Sequence, residues 1–356
     1  PGQAAALFGS LRRRRWIARP AVSLGRQVAA LLPGTLAETL REIRDFARLL
    51  PTRLIVDPFA SPDRAVFVAG IGRSGTTWLA NLLNYDNRYR YLFEPLHPNY
   101  IDAVRHFQLY QYLRPGDRRP EFLEPVRRAL SGQTRDPRID KLNHRAIAGR
   151  RLIKDVFANL YLGWLREAFP SVPIVMIIRH PMAVADSQRK LDHYVWLQQA
   201  SALLEQPDLV ADFLGPYADE IRRVTDPFEV AIVIWALVHL VPLRQLGPGE
   251  MHVCFYEHLC ELPREEMAGL EQFLGRHPGA AWRDKRFHAA LARPSEQARP
   301  QSPVLVGGKS VDAWMQHVST REIDAALRLL DRFGLGGLYG AGAMPNPAAL
   351  PHRRDA

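Results

Sequence analysis

Gly70, Gly72 and Gly75 punctuate the stretch "VFVAGIGRSGTTWLANLLN" (66–84), where an apolar run gives way to a helical pattern. Glycines at this spacing let the chain turn tightly and aim successive backbone N–H groups at one point. A helix starting near Gly75 adds its unpaired N–H groups and the positive end of its dipole at the same point. The chemistry this suits is the holding of a phosphate, with Gly72, Arg73, Ser74, Gly75, Thr76 and Thr77 as the cradle. A nucleotide hydrolase would carry lysine after the last glycine, reaching the β- and γ-phosphates. Thr76 stands there instead, and the cation sits three positions earlier, at Arg73. That arrangement fits a ligand with one phosphate in the cradle and a transferable group beyond it.

Such a loop must be carried by alternating strands and helices. Apolar runs predict strands over 65–70, 88–95, 151–156, 172–179 and 251–259, the first of them buried on both faces. Helical patterns follow at 76–84, 158–169, from Pro181 onward, in two segments over 194–243, at 264–275 and at 319–334. The region 98–148 is helical but less periodic, and 292–310 is a loop rich in Pro and Gly. The alternation predicts an α/β fold: a P-loop-like three-layer sandwich whose central parallel sheet is flanked by helices. Ligands of such sheets lie beyond the carboxyl ends of the strands. Ahead of the domain, "TLAETLREIRDFARLL" (35–50) reads as an amphipathic helix, with Thr35 and Glu38 as a capping box. The expected organisation is a basic helical arm over 1–60, a single domain over 61–342 and a polar tail over 343–356.

"GRSGTTWL" (72–79) resembles the loop of sulfotransferases that use 3′-phosphoadenosine 5′-phosphosulfate (PAPS), closest in motif to the carbohydrate (Golgi-type) and bacterial members. In that family the loop holds the donor's 5′-phosphosulfate, and its basic residue stands where Arg73 stands. The resemblance implies a second segment for the 3′-phosphate, matched by "RHPMAVADS" (179–187). Arg179 closes the most apolar strand and Ser187 lies about two helical turns on, so both can face one crevice. The family normally reads Arg-Asp-Pro or Arg-Asn-Pro there, and His180 departs from it. "YLFEPL" (91–96) resembles the Golgi carbohydrate enzymes, which implies Glu94 as the base that deprotonates the acceptor hydroxyl, with His97 as a competitor. Burial beneath Phe93, Pro95 and Leu96 is expected to raise the Glu94 pKa; the alternative is a strand-end glutamate paired with an arginine. Lys154 of "RLIKDV" matches the lysine of the cytosolic enzymes' Lys-Thr-His strand and is implied to neutralise the moving group, a solvated strand-end charge being the alternative. Their catalytic histidine falls on Val156, which accepts no proton. Tyr256, expected on the last strand, is implied near the adenine or as a buried structural tyrosine. Lys309 of "VGGKSVDAWMQHVS" (306–319) is implied to fold over the donor, with Trp314 as that loop's anchor. The likeness spans about residues 65–340. It implies a PAPS donor, 3′-phosphoadenosine 5′-phosphate (PAP) as product, no metal, and an acceptor hydroxyl on a carbohydrate, glycolipid or glycosylated natural product. A tyrosyl-protein or other small-molecule sulfotransferase, or a kinase-like nucleotide-binding protein, is the alternative.

Composition narrows the partners. The 356 residues carry a formal charge of +10, but ten arginines against four acids place +6 of it in residues 1–60. The remainder suits one polyanionic small molecule better than a nucleic-acid duplex. Cys254 and Cys260 match no disulfide framework or zinc spacing and read as two buried thiols. No secretory signal is evident in the arm, where Arg19, Pro20 and Arg26 break the apolar part. "VAIVIWALVHLVPL" (230–243) falls short of the ~20 residues of a spanning helix and reads as a core helix. The expected location is cytoplasmic, with the arm either solvated or touching an anionic membrane surface. Seven aromatics within 89–112 are candidates to line an acceptor cleft, most of them as core.

Overall fold

The computed structural model describes residues 55, 57–143, 145, 147–191, 199–294 and 311–351. They belong to a compact unit over 54–356, the other unit being 1–53. The 35–50 helix with its capping box and Lys309 therefore lie outside the described residues.

Five short strands form one sheet: β1 (Ala65–Ala69), β2 (Arg90–Phe93), β3 (Arg151–Asp155), β4 (Ile174–Ile178) and β5 (Met251–Phe255). All neighbours are parallel, in the order β2-β3-β1-β4-β5. Both faces are covered, which is why β1, β3 and β4 read as runs of buried residues. On one face Val66, Val68, Leu152, Val175 and Ile177 pack against α1 (Thr76–Leu83) and against residues of the helices that follow β5. On the other, Phe67, Ala69, Ile153, Met176 and Ile178 pack against α2 (Pro120–Leu130), α3 (Leu162–Ala168), α4 (Pro181–Arg189) and α5 (Pro227–Gln245). The result is the three-layer sandwich expected from the alternation of elements. Adjacent strands β1 and β4 send α1 and α4 to opposite faces, so a crevice opens between their carboxyl ends.

The 19-residue α5 is apolar enough to cross a membrane by composition, but 78% of its apolar window is buried inside the protein. It is a core helix, started by Asp226, whose carboxylate accepts from the N–H groups of Phe228 and Glu229. The segment 200–223 ahead of it is a series of short helical turns rather than one long helix. The last strand stops at Phe255, four residues before its expected end. Tyr256 opens α6 (Tyr256–Glu261), followed by α7 (Pro263–Phe273). Tyr256 and Leu259 are buried at a helical spacing of three, which the apolar run concealed. An unexpected helix, α8 (Lys285–Ala292), is capped by the Asp284 carboxylate. Helix α9 (Thr320–Arg332) carries a complete capping box from Ser319 and Glu322. Cys254 is buried as expected, whereas Cys260 is only half-buried.

Region 98–148 is mostly irregular apart from α2, and its final part covers the free edge of the sheet. Asn143 accepts from the Tyr91 N–H (2.7 Å) and donates to the Tyr91 carbonyl (2.9 Å), and the Phe93 N–H donates to the Ile139 carbonyl (2.9 Å). Arg90, fully buried, is clamped by Asp140 in a two-point ion pair (2.8 and 2.9 Å) and donates to the carbonyls of Gly132 and Thr134. A buried guanidinium needs all of these partners to offset its lost hydration.

Candidate active site

The glycine turn between β1 and α1 uses conformations closed to most side chains. Gly70 has φ +152° and Gly75 φ +93°; a Cβ at Gly70 would lie 2.7 Å from the Ile177 carbonyl oxygen, and one at Gly75 2.6 Å from the Tyr256 ring. Ser74 tightens the turn by donating both its N–H (3.1 Å) and its hydroxyl (2.6 Å) to the Ile71 carbonyl. Gly75 offers α1 no capping side chain, so the first-turn N–H groups, beside the buried Thr76 and Thr77, keep their donor capacity for an anion. Arg73, at the crown, is held at φ 78°, a left-handed conformation that costs a non-glycine residue about 1–2 kcal/mol.

The structure brings the second segment against the first. The Arg73 Nε donates to the Ser187 hydroxyl (3.0 Å), and the Arg179 guanidinium donates to the Arg73 carbonyl (3.0 Å). Gln188 adds a bond to the Gly72 carbonyl (3.3 Å). Tyr256 lies under this junction: its ring is 4.4 Å from the Arg179 guanidinium, edge-on to Trp78, and 92% hidden. Burial pushes its hydroxyl up to about 12. It supports the turn from below, and starts a helix instead of ending a strand.

Arg179 is fixed through its backbone. Trp235 Nε1 donates to its carbonyl (3.0 Å), and the next N–H, of His180, donates to the buried Glu257 (2.8 Å), which also accepts from Tyr339 (2.8 Å). Burial raises the Glu257 pKa. The departure at His180 has a physical account. Its Nδ1 accepts from the Met182 N–H (3.3 Å), the capping role an Asp or Asn oxygen would play. That places the proton on Nε2, which donates to the carbonyls of Gly340 (3.2 Å) and Gly342 (3.1 Å). Burial depresses the ring to about 4, so it is neutral at pH 7. Trp314 stacks on this imidazole at 4.4 Å, tying its own segment to the start of α4.

The third group lies at the carboxyl ends of β2 and β3. Lys154 pairs in register with Phe93 on one side and Val68 on the other, next to the strand that feeds the glycine turn. Its ammonium, 3% exposed, donates to the Glu94 carboxylate, 17% exposed. Glu94 is thus paired with a lysine, where the alternative reading had an arginine, and Lys154 is buried rather than solvated. Glu94 has φ 51°, so Arg73 and Glu94 are two of the four described non-glycine residues with positive φ. Strain of this kind gathers where function over-determines geometry. His97 is buried, with Nδ1 accepting from the Asn99 N–H (3.2 Å) and its ring against Tyr100 and Phe157; burial lowers its pKa.

Sequence reasoning missed Asp155. This fully buried carboxylate accepts from the N–H groups of Leu96 (3.2 Å) and Phe157 (2.9 Å) and thereby pins the turn that carries Glu94. Burial, then the charge of Glu94, pushes it up to about 7. Its signal was an acid directly after Lys154, inside a strand otherwise destined for the core.

A family model, "Sulfotransferase family", matches residues 65–278. The nodulation protein NoeE of Sinorhizobium fredii is 25% identical over 304 residues, 82% of this chain and 68% of its own length. Among solved structures, sulfotransferase STF9 from Mycobacterium avium is similar at 14% identity and TM-score 0.42, over 82% of this chain and 79% of its own. Mouse sulfotransferase SULT7A1, complexed with PAP, is similar at 14% identity and TM-score 0.41, over 81% and 89%.

Proposed function

We propose, from the premise that the chain belongs to the sulfotransferase family and is a transferase, that PAPS is its donor and a hydroxyl on a carbohydrate, glycolipid or glycosylated natural product its acceptor. The observation that carries this reading is the contact of Arg179 with the glycine turn. It joins the glycine turn to the β4–α4 turn, whose helices pack on opposite faces of the sheet, at the crevice between β1 and β4. A nucleotide with phosphates at two separate positions suits that arrangement, and an unbranched triphosphate does not.

In this reading the turn 72–77 holds the 5′-phosphosulfate, while Arg179 and Ser187 hold the 3′-phosphate. The donor supplies an activated sulfuryl group whose acceptor attacks in line with the departing phosphate. Arg73 carries charge that builds on that phosphate. Glu94 takes the proton of the attacking hydroxyl, and Lys154, on the same carboxylate, steadies charge on the moving group. In so dry a setting a fixed cation acts more strongly than it would in water. Asp155 holds the turn beneath Glu94, and Tyr256 holds the glycine turn.

Incubation of the full chain with sulfate-labelled PAPS and separate pools of oligosaccharides, glycolipids, simple phenols and tyrosyl peptides tests the assignment. Label is expected in a sugar-bearing pool. Label confined to peptides or phenols transfers the assignment to that acceptor class, and bound donor that loses no sulfate to any pool makes the chain a binding protein.

A further inference from the structure

We propose that Asp155 is a positioning residue whose ionised carboxylate holds Glu94 in its working conformation, so that sulfate transfer falls as Asp155 takes up a proton. This rests on the reading of Glu94 as the acceptor's base. Glu94 is strained on two counts. Its φ of 51° is a left-handed conformation for a residue with a Cβ, and it lies outside the extended range that a residue before proline favours. Such a conformation persists only where neighbours impose it. Pro95 has no N–H, so the donors that flank the Glu94 side chain are its own N–H and that of Leu96. The end of β3 takes both: the Lys154 carbonyl accepts the first (2.7 Å) and the Asp155 carboxylate the second (3.2 Å). The other Asp155 oxygen accepts from the Phe157 N–H (2.9 Å).

Asp155 is the fastening that a proton can undo. It is fully buried, and both of its oxygens are engaged as acceptors. A proton on either one removes the charge and turns a lone pair into an O–H, so the two-point grip weakens. Glu94 at the end of β2 and Lys154 beside it on β3 are the charges that bear on the group, and Glu94 already occupies the lysine. Tyr161 also faces it, a phenol that burial and the charge of Asp155 hold well above its ordinary value and therefore protonated. Ala69, its register partner on β1, and the buried residues of α1 and α2 carry no charge. Burial and Glu94 together push the Asp155 carboxyl up to about 7, so its proton exchanges near neutral pH. A carboxyl whose pKa is raised on folding binds its proton more tightly in the folded chain, so protonation adds stability as pH falls through about 7. Loss of rate through Asp155 and loss of fold therefore run in opposite directions.

The test follows the backbone amide signals of Leu96 and Phe157 by nuclear magnetic resonance, beside single-turnover transfer from PAPS to the acceptor pool that takes the label. Both are read between about pH 5 and 9, in the full chain, in Asp155→Asn and in Glu94→Gln. In the unmodified protein both amides are expected to titrate with a midpoint of about 7, and the rate to fall with the same midpoint as pH is lowered. Asparagine keeps the volume and one acceptor, and so reproduces the protonated state. Asp155→Asn should therefore lose about 10- to 100-fold in rate at the alkaline end, lose the step near neutrality, and keep its affinity for adenosine 3′,5′-bisphosphate. The melting temperature of the unmodified protein should gain on that of Asp155→Asn as pH is lowered. Amides that do not titrate, or a rate step that survives in Asp155→Asn, overturn the proposal. Amide and rate midpoints that differ in the unmodified protein overturn it as well, whether or not the variant folds. Glu94→Gln separates the fastening from the base. A Glu94→Gln protein that keeps its rate overturns the base assignment. An amide midpoint lowered in that protein, for want of the Glu94 charge, upholds the fastening, and an unmoved one overturns it.

Discussion

Glu94→Gln lowers kcat by about 10²- to 10⁴-fold, the range a positioned general base contributes, while donor affinity changes only a few-fold. Glutamine is the informative replacement. It removes the carboxylate charge but keeps a side-chain oxygen that can accept from the Lys154 ammonium, which is 3% exposed and would otherwise lose its hydrogen-bond acceptor as well. Glu94→Ala adds a folding penalty of about 3–5 kcal/mol, the cost of stranding one member of a buried pair. Single-turnover sulfate transfer, read beside a melting curve, separates the two effects. His97→Gln serves as the comparison, since its Nδ1 is engaged by the Asn99 N–H and burial lowers its pKa. A rate that survives in Glu94→Gln but falls in His97→Gln moves the base three residues along the chain.

Arg73→Ala lowers turnover by about 10²- to 10³-fold, the usual loss when one charge-stabilising donor is removed, with less than about tenfold loss of donor affinity. The asymmetry follows from the construction of the turn. Its backbone N–H groups and the first turn of α1 remain, and they hold the phosphate whether or not a guanidinium stands at the crown. Removal also frees the Ser187 hydroxyl, which Arg73 engages at 3.0 Å. Arg73→Gly controls for strain, because the native φ of 78° suits glycine better than alanine. Equal losses in affinity and turnover would show that Arg73 binds the donor without acting on the leaving group.

Much of this fold is written locally. The strands of a parallel sheet covered on both faces must be apolar along their whole length, so β1 and β4 stand out from any neighbour. The glycine turn is equally legible, because Gly70 and Gly75 answer first to their own positive-φ backbone conformations, which glycine alone adopts freely. Legibility ends where a residue's role depends on tertiary neighbours. Glu94 and Lys154 each advertise a charge at a strand end, but their union depends on the β2–β3 register. Asp155 reads as an ordinary acid until Leu96 and Phe157 are seen to donate to it. Tyr256 follows an apolar run without a break, and only packing beneath Gly75 decides that it begins a helix. The edge segment 131–143 shows no periodicity because individual side chains, Arg90 and Asn143 above all, fasten it.

The central claim is that one nucleotide bridges the glycine turn and Arg179. Calorimetric titration of the full chain and of Arg179→Gln with adenosine 3′,5′-bisphosphate, adenosine 5′-monophosphate and ATP tests it most directly. In the unmodified protein the bisphosphate is expected to bind about 100-fold tighter than the monophosphate, a margin that charge-assisted bonds to a second phosphate supply. Arg179→Gln should erase most of that margin, and ATP should compete poorly with or without magnesium. Equal affinity for the bisphosphate and the monophosphate, or tighter binding of ATP, would contradict the account.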